Sequence, residues 1–169
     1  MKDFGSRGYR LADAAVEVKL AYTGFLIFAL LGYLTFLVIA LVRVGPGYDE
    51  IVVHYRGSEA EEAAFPRAFG QMLEEAHFHT FIEGVILLVL THLFVATSVS
   101  RRIKFAVIVA AFGATLMDLA CPWLIRYIAP GFAWLQLASW TMIGVSALAL
   151  IGVPFREMWM SQRTQGDPS

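Results

Sequence analysis

Residues 20–42 read LAYTGFLIFALLGYLTFLVIALV, an apolar run with no charged side chain. A helix needs about 20 such residues to cross roughly 30 Å of hydrocarbon. Three further runs of similar length follow, at about 77–99, 105–128 and 132–153. None shows the strict alternation of a barrel strand, and in lipid only helices or closed barrels satisfy every backbone N–H and C=O. Composition agrees. The chain of 169 residues is 58% hydrophobic and 16% charged, whereas a soluble domain is nearer half apolar and a quarter charged. The expected fold is an all-α integral membrane four-helix bundle. It forms one transmembrane domain over residues 1–160, with an outer loop at 44–76 and a disordered tail at 161–169.

The polar segments refine that expectation. Leu11, Ala14, Ala15 and Val18 recur at helical spacing among Arg10, Asp13 and Glu17, which predicts an N-terminal amphipathic surface helix over Arg10 to Lys19. A cleaved signal peptide is not expected. The first apolar run is too long for one, and no small-residue cleavage site follows it. In the loop, Ile51 to Tyr55 is a β-branched stretch read as extended. Ser58 and Glu61 have capping-box spacing, and Pro66 suits the first turn of a helix that continues into the second span.

Charge sets the expected orientation. Lys2, Arg7, Arg10, Lys19, Arg101, Arg102, Lys104, Arg156 and Arg163 fall on one side of the four spans; Arg43, Arg56, Arg67 and Arg126 fall on the other. This bias predicts cytoplasmic N and C termini in a bacterial inner membrane. The loop, partly helical and rich in Asp and Glu, would then be extracytoplasmic.

The chemistry-bearing residues are few. One cysteine, Cys121, precludes an internal disulfide, and neither CxxC nor CxxCH occurs, which excludes covalent c-type haem and cysteine-rich zinc sites. Phosphate-binding loops, dinucleotide fingerprints, nucleophile elbows and basic nucleic-acid patches are absent. No complete catalytic constellation is present. What remains is a set of ionisable residues in or beside the second span: His77, His79, Glu83 and His92, with His54 in the loop and Asp118 in the third span. Such groups are costly in hydrocarbon and therefore candidates for function.

Helical geometry divides them. Glu75, His79 and Glu83 form one stripe at intervals of four. His77 and His92 share another face with Gly84 between them, separated by about 22 Å of rise. That helix resembles the haem-carrying helices of small four-helix transmembrane b-type cytochromes. There, two histidines on one helix hold haems and intervening glycines admit the macrocycle. The resemblance covers one helix, through His77, Gly84 and His92. It implies haem b held by His77 or His79, with His54 as the second ligand. It also implies Arg56, Arg67 and Arg126 near the propionates, and a second haem at His92 if a further protomer, a non-histidine ligand or an open coordination position completes it. The implied activity is transmembrane or periplasm-facing electron transfer, in exchange with quinone or a periplasmic electron carrier, by a homodimer or a subunit of a larger complex.

Two rivals are carried beside it. His79, Glu83 and Asp118, at similar depth, could hold zinc, copper or iron in a non-haem site with an enzymatic or transport role. Alternatively the chain is a non-catalytic subunit that anchors a larger membrane complex. The bland reading of the same residues is structural: boundary histidines as anchors, and Glu83 or Asp118 paired with Arg126 or a histidine.

Overall fold

A computed structural model describes residues 11–58 and 64–160. Among these residues every regular element is helical. Helix α1 spans Val16–Ile39 and runs on through one wide π turn, Ala40–Val44; α2 spans Tyr48–Arg56, α3 Phe69–Val95, α4 Arg101–Tyr127 and α5 Phe132–Met160. Four of them (Val16–Val44, Phe69–Val95, Arg101–Tyr127 and Phe132–Met160) are long and apolar enough to cross a membrane. Each is longer than its apolar run at one end or both, because the helices carry polar turns past the hydrocarbon. The all-α four-span bundle is as expected.

The bundle is uneven. α4 and α5 form the most extensive pair, α3 packs on both, and α1 leans mainly on α5. At the end that carries both termini, Leu26, Leu90, Phe94, Leu150 and Met158 form one buried cluster. At the opposite end α2 lies across the bundle and buries Ile51 and Tyr55 against Cys121, Ile125 and Ala133. Cys121 is thus a small core residue.

Three local expectations are corrected. Ile51 to Tyr55 is helical, not extended. Ile51 and Tyr55 are buried while Val53 between them is exposed, which a helix allows and a strand, lining one face with all three, does not. That burial, about 1.5–3 kcal/mol for each large apolar side chain, overrides β-branched propensity. Asp49 and Glu50 in the first turn of α2 face the positive end of its dipole. Secondly, the helix of the second span starts at Phe69, not at Pro66. Pro66 instead closes the loop against Gly57, whose φ of +80° permits a turn in which a Cβ would strike the Ala64 carbonyl. Gly45, at φ +100°, makes the equivalent turn after α1. Thirdly, among the described residues the expected surface helix is a 3-10 turn, Leu11–Asp13, followed by α1 from Val16, and Arg10 lies outside them. Leu11 is fully buried, so this turn tucks into the bundle end and does not ride on its surface. The capping-box partner Glu61 and the tail after Met160 lie outside the described residues.

The terminal end is tied by polar clamps. Glu157 is buried, and its Oε2 accepts hydrogen bonds from the Ser98 backbone N–H at 2.6 Å and the Ser98 hydroxyl at 2.9 Å. Lys104 donates to the carbonyls of Val95 and Thr97 at 2.8 and 2.6 Å, satisfying groups the end of α3 leaves open. Trp159 donates to Thr23 across the α1–α5 seam at 2.9 Å.

Candidate functional site

The two stripes of α3 point in opposite senses. His77, Gly84 and His92 are all exposed, and a Cβ on Gly84 would meet nothing within 4 Å. That face looks out of the bundle, and no neighbouring helix of the chain approaches it closely at Gly84. His79 and Glu83 turn inward. His79 Nδ1 lies 2.9 Å from Glu83 Oε1, one turn along the helix, which leaves Nε2 as the uncommitted ring nitrogen.

Two adjoining cavities open onto this inward stripe. The first, about 440 Å³, sits under α2 at the end away from the termini; it is lined by His54, Arg43, Arg67, Glu75, His79 and Asp118 with Phe36, Trp123 and Trp140. The second, about 350 Å³, lies deeper and is mostly apolar, bounded by Ile82, Ile86, Leu87 and Leu90 of α3 and by Phe28 and Tyr33 of α1. Gly32, Phe36, His79 and Asp118 line both, so these four residues form the waist between them.

Local folding explains how each group arrives. α2 carries His54 on the turn before Tyr55, and the burial of Tyr55 holds that turn against the bundle. His54 lies edge-on to the Tyr55 ring, with centroids 4.8 Å apart, and burial, helped by the Arg67 charge, lowers its pKa from the usual histidine value. Burial likewise raises the Tyr55 pKa above its ordinary value, keeping the phenol protonated. Arg67 pairs with Glu75 across the first turns of α3. Asp118 accepts hydrogen bonds from Trp140 Nε1 at 2.8 Å and from the Gln136 amide. Gln136 and Trp140 are one turn apart on α5, so a single stripe of that helix delivers both donors.

The sequence-derived candidates therefore separate. His54, His79 and Asp118 share the outer cavity, while His79, Glu83 and Asp118 share the inner one. His77, Gly84 and His92 belong to neither. Arg56 donates to the Ile125 carbonyl at 3.0 Å and clamps α2 to α4. Arg126 lies over the Tyr127 ring, 5.4 Å from its centroid. The arginines that line the outer cavity are Arg43 and Arg67. Among the described residues, no three His, Cys, Asp or Glu side chains are grouped closely enough to hold a metal ion. Neither Gln136 nor Trp140 stands out among the sequence-derived candidates. The available signal was a lone amide in an apolar span with an indole N–H four residues on.

A family model described as a transmembrane helical domain matches residues 45–165, from just before α2 to just beyond α5. The chain belongs to this family. The match covers most of the chain and agrees with a multi-pass membrane protein. No curated protein and no solved structure matches the chain.

Proposed function

We propose that the protein is a membrane b-type haem protein that carries electrons at the membrane face bearing α2, with His54 and His79 as the ligand pair. One observation carries this reading: two histidines from different helices, His54 of α2 and His79 of α3, line the same outer cavity. His54 stands edge-on against the Tyr55 ring, and His79 is held by the Glu83 carboxylate at 2.9 Å. Histidine ligands are commonly oriented in this way, with one nitrogen hydrogen-bonded and the other presented to the metal. The lowered pKa of His54 keeps it neutral at pH 7, the form that ligates.

The other residues fit the group. Arg43 and Arg67, at the same cavity, would receive propionates as charge-assisted partners. Phe36 and Trp123 supply flat apolar walls, and Gly32 leaves room on α1. A bound haem would supply one-electron redox chemistry. The chain's own part is to fix the imidazoles, exclude water and set the surrounding polarity. His77 and His92, outward on α3, have no place in this site. A second haem at His92 would need a partner chain seated on that face.

The lysine and arginine bias supports an orientation with the α2 end outside the cytoplasm and both termini inside it, and we assign the protein to a bacterial inner membrane. On that side a periplasmic carrier, or a quinone from the bilayer, would meet the haem. A second reading is a zinc, copper or iron site at His79, Glu83 and Asp118: all three line the inner cavity, but they would have to draw closer together to hold a metal ion.

Absorption spectra of the protein purified in mild detergent, before and after dithionite, test the proposal. A Soret band with a sharp reduced α-band is the expected result. A colourless protein with one equivalent of tightly bound metal would move the assignment to the second reading, and a colourless, metal-free protein would remove both.

A further inference from the structure

The inner cavity is not needed by the two histidine ligands, and its chemistry differs from that of the outer one. Its walls are chiefly apolar, yet Glu83 Oε2 is buried and has no hydrogen-bond partner. Glu83 Oε1 is taken by His79. A carboxylate oxygen without a donor in a low-dielectric site is costly, so the site is short of a donor and long on apolar surface. The volume of about 350 Å³ falls in the range of small-molecule sites.

The cavity also has an entrance. It lies between α1 and α3, and two of its lining residues face outward, Phe28 at 76% and Phe78 at 64% exposure. In a four-span bundle that side faces lipid. A ligand would enter sideways from the bilayer, polar end toward Glu83 and apolar end along Ile86 and Leu90.

We propose that the inner cavity binds an amphipathic membrane-soluble molecule whose head donates an O–H or N–H hydrogen bond to Glu83 Oε2. A long-tailed phenol such as a quinol, and an amine- or hydroxyl-headed lipid, share this chemistry. The haem assignment is not required for it. His79 and Asp118 at the waist place the bound head beside the outer cavity.

The test uses the full chain in lipid nanodiscs, titrated with a hydroquinone bearing a ten-carbon tail and with its dimethyl ether, which has the same shape and no donor. Tryptophan fluorescence and the unfolding midpoint report binding. Saturable binding by the hydroquinone, weaker by about tenfold for the ether and for Glu83→Gln, is the expected result; tenfold corresponds to about 1.4 kcal/mol, the scale of one hydrogen bond to a charged group. Ile86→Trp fills the chamber without touching the outer cavity. It should abolish binding while circular dichroism and any haem band stay as in the parent. Equal affinity for hydroquinone and ether, or unchanged binding in Ile86→Trp, overturns the proposal. Mass spectrometry of the organic extract separates the sources: a phenolic species supports a quinol, and an amine-headed lipid at one equivalent supports a lipid. Either must be lost in Ile86→Trp, and retention there counts against the site.

Discussion

His79 Nδ1 and Glu83 Oε1 stand 2.9 Å apart on successive turns of α3, and this pair divides the helix into a working face and a lipid face. Sixteen residues of sequence, 77–92, hold three histidines, and of these His79, bonded to Glu83, lines the two cavities while His77 and His92 do not.

The first prediction follows from that division. His54→Ala and His79→Ala should each lose the Soret band, and His77→Ala and His92→Ala should keep it. Glu83→Leu, which leaves His79 without its orienting partner, should weaken haem retention by about 10–100-fold. The measurement is haem content per protein after purification. Loss on His77→Ala with retention on His79→Ala would reverse the assignment of faces.

A second concerns Asp118, which accepts from Trp140 at 2.8 Å and from Gln136. Asp118→Leu strands both donors in the bundle interior, at roughly 1–3 kcal/mol for a buried unsatisfied group. Denaturation of the detergent-solubilised chain should show that loss. The double change Asp118→Leu with Gln136→Leu should recover part of it, since one stranded donor is then removed.

The clamp at the terminal end gives a third. Glu157→Ala releases the Ser98 N–H and hydroxyl, bonded at 2.6 and 2.9 Å. Hydrogen exchange at residues 96–100 should accelerate, while exchange in α2 stays unchanged. An accelerated α2 would mean that the two ends of the bundle are coupled.

The fourth is a pH dependence. Burial, assisted by Arg67, lowers the pKa of His54 in the folded protein. The unfolded chain, with its histidine near 6.5, therefore binds more protons as pH falls below about 6.5. Stability contributed by neutral His54 is fully present above that pH and is lost on acidification. Thermal unfolding of haem-free protein should show a midpoint that falls between about pH 6.5 and 5, and His54→Leu should flatten that slope.

The spans were legible because continuous apolar runs have one reading in lipid. The stripes of α3 were legible too, since spacing alone separates His77 from His79. Which stripe faces inward was not. A membrane helix is apolar on both sides, so hydrophobic contrast cannot reveal its interior face, and the pattern of two histidines and a glycine drew attention to the outward one. α2 was hidden for another reason: Ile51, Val52 and Val53 favour strands locally, and only the contacts of Ile51 and Tyr55 with a distant part of the chain decide for a helix. Gln136 was invisible because its importance lies in Asp118, eighteen residues away on another helix.

The family match starts at residue 45, where α1 has just ended, yet α1 supplies Phe28, Gly32, Tyr33 and Phe36 to the cavities. The matched unit, α2 to α5, is thus an open trough, and α1 closes it as a lid helix. A change in α1 alone would therefore alter the contents of both cavities and leave the contacts among α2 to α5 in place, because α1 packs mainly on α5.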